Sequence, residues 1–241
     1  MNLIVFSLRA FLLVYVPVVY RSPSYIVVSK PSGVPMHGED SLLQIVREQE
    51  QLGGGSCHLV HRLDTPTSGL VILPTSSESA GKIARGFQNR ERDGSDLITK
   101  FYVALVSKKP SKKMGTISGT IRKTRGGSYK LTKDSSPPLS RTKFKDLGST
   151  TDGRRIVLMR PLTGLTHQLR VTLKALGSPI IGDERYGGSE AERLMLHATG
   201  IIVDECLDVG EKEEVWGKPD FVNEGEWEMI QEESKNKWWY K

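Results

Sequence analysis

Cysteine is scarce: the 241-residue chain has two, Cys57 and Cys206. Two thiols make no disulfide framework, and a chain of this length buries enough surface to fold without one. No CxxC pair or Cys/His ladder occurs, which excludes the common structural zinc sites. No internal repeat is visible, which excludes a solenoid or propeller. Acidic residues are missing before Glu39. The longest apolar stretch, Leu3 to Tyr20, is broken by Arg9 and Pro17, so it makes a poor membrane span, which needs about 20 apolar residues. An acid-poor start with a scattered arginine fits a transit peptide. A leading strand fits as well, and Val14–Tyr20 reads as a buried one. With 37% hydrophobic and 26% charged residues, the composition is that of a folded globular chain, not a disordered or collagen-like one.

Charge is present in abundance and unevenly spread. Residues 204–241 hold 12 acidic and 5 basic residues, a net of −7, and all four tryptophans. Residues 1–203 hold 16 acidic and 29 basic, a net of +13. Residues 108–145 alone carry twelve Lys or Arg against one acid, Asp134. A body this basic suits a polyanion such as nucleic acid. Glycines and Pro137-Pro138 punctuate 108–145 into short hairpins, a basic arm or a merely solvated surface. The acidic tail either docks on the core through its tryptophans or competes for the basic face.

Periodicity places the remaining elements. Tyr25-Ile-Val-Val28, Leu70-Val-Ile-Leu73, Lys100–Val106 and Ile156–Met159 are β-branched or apolar runs of strand length. Ser41 caps a helix reaching about Gln51. Thr75 and Glu78 have capping-box spacing ahead of a stripe formed by Ala80, Ile83, Ala84 and Phe87. Thr166 to Leu176 reads as a helix ended by Gly177. Arg193–Val203 ends as a strand.

Candidate chemistry centres on Asp64, in a turn-forming stretch after His58, His61 and Arg62. A carboxylate among cations suits a nucleophile or base, and equally a surface ion pair. Metal binding by His58, His61 and Asp64 is a second reading, though the spacing matches no established ligand motif. A Cys57/His167 thiol site is a third, with nothing to mark Cys57 as activated. Further along, Arg170 has the guanidinium fork to grip a carboxylate. His167 and Gln168 are able to bond a base or hold a loop.

Five stretches, taken together, resemble RluA-type RNA pseudouridine synthases. They are Lys30-Pro-Ser-Gly33, His61-Arg-Leu-Asp-Thr-Pro-Thr-Ser-Gly-Leu70, Lys100-Phe-Tyr102, Thr163–Arg170 continuing to Gly187, and Arg193-Leu-Met-Leu-His-Ala198. They occur in family order across roughly residues 18–203. The resemblance implies an α+β fold: a mostly antiparallel mixed β-sheet flanked by helices and loops around a central cleft. It implies that the catalytic set is Asp64, Tyr102 and Arg170: Asp64 is the catalytic aspartate, Tyr102 packs on the target uracil and can help in proton transfer, and Arg170 pairs with Asp64. Leu169 would line the base pocket and Arg62 would fill the gap left by a flipped nucleotide. His61, Lys30, His167 and Gln168 join the expected RNA-binding set, with Lys108, Lys109, Lys112 and Lys113 from the basic arm. No metal or organic cofactor is implied.

The expected organisation is an N-terminal segment 1–17, a catalytic domain 18–203 containing the arm 108–145, and the acidic segment 204–241. The expected partner is rRNA or tRNA, met by a monomer without stable membrane association. The compartment is the cytoplasm, or an organelle if residues 1–17 are a transit peptide. Leu165 and Thr172 depart from the family pattern, which bears on RNA contacts. They motivate a rival reading, a non-catalytic RNA-binding protein on the same scaffold.

Overall fold

The computed structural model describes residues 14–51, 56–93, 97–134, 136–207 and 209–240. Residues 1–13, and with them most of the leading segment, lie outside the described residues. In chain order the elements are β1 (Val18–Arg21), β2 (Tyr25–Lys30), α1 (Leu42–Gln49), β3 (Ser68–Pro74), α2 (Ser77–Asp93), β4 (Ile98–Val106), β5 (Met114–Lys123), β6 (Tyr129–Thr132), β7 (Leu139–Ser149), β8 (Arg155–Pro161), α3 (Gln168–Ala175), β9 (Leu196–Val203), β10 (Glu213–Trp216) and α4 (Glu224–Ser234). The strands form one mixed sheet in the order β1-β2-β3-β9-β4-β8-β7-β5-β6, with β10 also on β9. This is the α+β fold that the resemblance implies. Among these pairs only β3 with β9 is parallel.

Central strands follow their composition. β3 and β9 are buried at every position, as near-continuous apolar runs require. The edge is different. β1 alternates half-buried and exposed, and Tyr15 is 70% exposed. Val14–Tyr20 is therefore not a buried strand: an edge strand covers only one of its faces. α1 begins as its sequence signals, with the Ser41 side chain accepting from the Gln44 amide. α2 does not use Thr75 and Glu78. The Thr75 hydroxyl donates to the Pro23 carbonyl, and Ser76 and Ser79 form the reciprocal cap. α3 closes with the amides of Gly177 and Ser178 on the carbonyls of Lys174 and Leu173. Gly177 sits at φ +75°, the left-handed position that glycine supplies at a helix end.

The two faces of the sheet do different work. On one face, Tyr102, Ala104, Phe144, Met159 and Ala198 pack with residues of α1 and α3. On the other, Phe101, Val103, Leu105, Ile156 and Leu158 are covered by the acidic C-terminal segment. Trp216 stacks on Phe101 at 5.5 Å, and the fully buried Trp239 meets it edge-on at 5.5 Å. Lys143 donates to the Trp238 and Trp239 carbonyls, and Lys145 pairs with Glu233 at 2.5 Å. The tail thus docks on the face away from Tyr102 and takes up two of the charges of the basic stretch. That stretch builds β5, β6 and β7 of the same sheet. Trp239→Ala is expected to cost about 3 kcal/mol by opening a large cavity, read as a lowered midpoint of thermal unfolding.

Candidate active site

A short network of backbone and side-chain bonds shapes the loop that carries Asp64. Lys30 is 1% exposed. Its ammonium donates to the carbonyls of Pro31, Val34 and Thr65 at 2.8, 2.8 and 3.0 Å. The Gly33 amide also donates to Thr65, and the Ser32 hydroxyl to Pro66. The Lys-Pro-Ser-Gly turn therefore clamps the turn that starts at Asp64. The expectation that Lys30 contacts RNA is corrected: its three protons are spent inside the protein. Burial lowers it to about 8 despite the Asp64 charge nearby.

On the far side of that turn, Gly69 lets β3 approach β9. A Cβ there would lie 2.3 Å from the Ala198 carbonyl oxygen, so only glycine permits this parallel pairing. Next to it, the Ser68 hydroxyl bonds His197 Nδ1 at 2.8 Å. Burial holds His197 down at about 4, a neutral tie between the two strands.

Asp64 faces a cleft of about 300 Å³ whose wall includes Arg62, Lys100, Tyr102, His167, Leu169 and Arg170. Arg170 reaches it from the first turn of α3, with Nη1 3.3 Å from Asp64 Oδ2. The same guanidinium is gripped from behind. Nε and Nη2 donate to the two oxygens of Asp183, both at 2.8 Å, and the Asp183 side chain is fully buried. Burial alone would lower Arg170, but the Asp183 bonds outweigh it and raise the group, with Asp64 adding to them. A bidentate pair fixes the plane of the fork, so Asp183 aims the remaining arm of Arg170 at Asp64.

Tyr102 lies on β4 with its phenol in the cleft, 6% exposed. Burial first, then the Asp64 charge, push its ionisation upward, so the phenol is neutral. Leu169 forms part of the same wall. Arg62 is exposed and belongs to the same wall.

Two other expected contacts turn out to be internal. His61 Nε2 accepts from the Ile72 amide at 3.0 Å and its ring lies 4.9 Å from Phe87; it pins the loop to β3. Gln168, 4% exposed, accepts from Thr163 Oγ1 and the Leu165 amide and donates to the Arg141 carbonyl and Thr142. It shapes the lip of the cleft. Lys108, Lys109, Lys112 and Lys113 are exposed in the β4–β5 connection, where the Ser111 amide meets the Leu176 carbonyl. That is the opposite end of α3 from Arg170, about 9 Å along the helix. Of the two departures, Leu165 lines the cleft, while Thr172 is fully buried and does not.

The rival chemistries find no constellation. Among the described residues no group of three His, Cys, Asp or Glu is placed to hold a metal ion. Cys57 is buried in the core, burial raising its thiol, and it does not line the cleft that holds His167. No helix among the described residues is long and apolar enough to cross a membrane.

The sequence singled out neither Asp183 nor Tyr186 nor Lys100 for a role. All three lie inside the quoted stretches. Lys100 is half-buried, with Nζ 4.7 Å from the centre of the Phe87 ring, and burial lowers it to about 8. A cation held this way costs stability while it stays charged. Lys100→Met is expected to stabilise the fold by about 2 kcal/mol at neutral pH. The advantage is full below pH 8. It shrinks as pH rises from there toward 10.5, because the folded lysine sheds its proton while the unfolded one still holds it. Thermal melts of both proteins between pH 7 and 10 check the sign.

A carboxylate beside a carboxylate-held arginine thus shares an open cleft with a buried phenol in a basic protein. Comparison with known proteins narrows this. Residues 24–175 match the family model described as RNA pseudouridylate synthase. An RNA pseudouridine synthase of Haemophilus influenzae is 39% identical over 194 residues, 78% of this chain and 82% of the relative. The ribosomal large subunit pseudouridine synthase C of Rickettsia bellii is 32% identical over 200 residues; the match spans 78% of this chain and 63% of that relative's length. The solved structure of human RNA pseudouridylate synthase domain containing 1 superposes with a TM-score of 0.69 at 28% identity, over 87% of this chain and 86% of that one. The chain belongs to the RNA pseudouridylate synthase family, whose enzymes are isomerases.

Proposed function

We propose that the protein converts uridine to pseudouridine at defined positions of structured ribosomal or transfer RNA, with Asp64 as its catalytic residue. The observation that carries this reading is the Asp64 carboxylate, presented to the cleft beside Tyr102 by an arginine that Asp183 holds from behind. In the reaction the N1–C1′ bond breaks, the uracil turns, C5 bonds to C1′, and the C5 proton leaves as N1 gains one. A carboxylate here is suited to act as nucleophile or base. The base must leave its stack to reach it, at a cost of a few kcal/mol. Arg62 takes the vacated place. Tyr102 stacks on the base and Leu169 closes the pocket. Lys108, Lys109, Lys112 and Lys113 give the RNA backbone a second, more distant row of charges. The name of the Rickettsia relative supports a ribosomal substrate. The protein works as a monomer without a metal or organic cofactor.

The test is pseudouridine mapping. RNA from cells lacking the protein is incubated with the purified enzyme, and carbodiimide-dependent reverse-transcription stops are read. A new stop at a discrete uridine is expected. Tight RNA binding with no new stop would favour the non-catalytic reading, for which Leu165 in the cleft wall is the motivating departure.

A further inference from the structure

His167 is built into the cleft in an unusual way. It precedes α3 at φ +55°, ψ +18°, the left-handed region, and makes no side-chain cap bond. Non-glycine residues held there cost free energy and gather at functional sites. Its Nδ1 lies 2.7 Å from the Tyr186 hydroxyl. Tyr186 is 2% exposed, and its oxygen also receives the backbone amide of Tyr129 at 3.1 Å. Its Nε2 lies 3.9 Å from Asp64 Oδ2. That is too long for a hydrogen bond, and no partner for Nε2 appears among the described residues.

Proton accounting fixes the tautomer. A backbone amide can only donate, so the Tyr186 oxygen is an acceptor toward Tyr129. The buried hydroxyl proton then needs its own acceptor, and the one within reach is His167 Nδ1. Were Nδ1 to carry a proton, Tyr186 would accept twice and its own proton would be stranded. Buried polar groups are seldom left so. The groups facing the imidazole agree. Burial, Arg170 and Arg185 disfavour its charged form and outweigh Asp64 and Asp183. The ring is neutral, with its proton on Nε2.

We infer that His167 is a specificity-determining residue: its Nε2–H, locked as a donor by Tyr186 and the Tyr129 amide, holds the O4 carbonyl oxygen of the uracil turned into the cleft beside Asp64. This rests on the proposed uridine reaction and adds a role for one residue. A fixed donor accepts the carbonyl of uracil and repels the exocyclic amine that cytosine carries at the same ring position. The lock begins on β6, so the basic hairpin that carries Tyr129 is tied to the reading of the base. Arg185 strengthens the tie by donating to the Gly127 carbonyl at the hairpin turn.

The experiment has two arms on the full chain. In the first, histidine-selective 15N NMR near pH 7 reads the His167 ring, assigned by comparison with His167→Asn. A neutral ring protonated on Nε2 is expected, with Tyr186→Phe relaxing it toward a tautomer mixture. A ring protonated on Nδ1, or a charged one, overturns the inference.

In the second arm, wild type and His167→Asn are given RNA with uridine, 2-thiouridine or 4-thiouridine at the target. Asparagine tolerates the left-handed backbone and reaches Tyr186, but not the Nε2 position. The 4-thio substitution is expected to slow the wild type about tenfold in kcat, with KM little changed, and to leave the variant no slower than on uridine; slowing of the wild type by 2-thiouridine alone would place the contact at the carbonyl that cytosine shares and overturn the inference. Equal slowing of both enzymes, or no slowing of the wild type, overturns the inference. Failure of the wild type to convert plain uridine would instead sink the proposed function, and the NMR arm still decides the tautomer.

Discussion

Asp64→Asn is expected to bind RNA as the wild type does and to lose at least about 10³-fold in pseudouridine formation. The substitution preserves shape. The amide oxygen can still accept from Arg170 Nη1 in place of the carboxylate at 3.3 Å. Asp183 continues to neutralise Arg170 from behind, so no buried charge is left alone. RNA affinity comes chiefly from cations and phosphate contacts, none of which changes. What disappears is the anionic oxygen able to attack or to take a proton. Binding isotherms at fixed salt, together with nucleoside analysis of the product, separate the two effects. A tenfold loss or less would assign the chemistry to another group.

Asp183→Ala is expected to be the most damaging change away from the reacting atoms. It removes both bonds that fix Arg170, whose side chain is only 7% exposed. A buried guanidinium without its partner costs about 3–5 kcal/mol. The freed fork then turns toward Asp64, its remaining carboxylate, and pulls it out of line. A small misplacement of a reacting group costs about 100-fold in rate. The double variant Arg170→Met/Asp183→Leu separates the two losses. Apolar residues of similar size replace buried ion pairs at little cost, so its thermal midpoint should return most of the way while its activity stays lost. A double variant as unstable as Asp183→Ala would show that the loop around Asp183, and not the charge, is the weak point.

Much of this was legible in the sequence because it is local. The central strands declare themselves by β-branched runs, α1 by Ser41, and the end of α3 by Gly177. The juxtaposition of Asp64, Tyr102 and Arg170 came from the family resemblance, not from spacing. The misreadings are all tertiary. Thr75 looks like a cap until the Pro23 carbonyl claims its hydroxyl. Lys30 looks like a surface cation until three carbonyls converge on it. Asp183 carries no role at all in the sequence, and only folding lays it against Arg170 on a helix. The tryptophans of the tail follow no helical or strand period. Their order is set by Phe101 and Lys143, more than ninety residues earlier in the chain.

Tritium release from RNA carrying [5-3H]uridine at the mapped position tests the account most directly, because forming the C5–C1′ bond must expel the hydrogen on C5. Wild type is expected to release one tritium for each pseudouridine formed in a single turnover. Asp64→Asn, bound to the same RNA, is expected to release none above background. Release by the variant at a rate near that of the wild type would contradict the role given to Asp64, and no release by the wild type on RNA it binds would contradict the isomerisation itself.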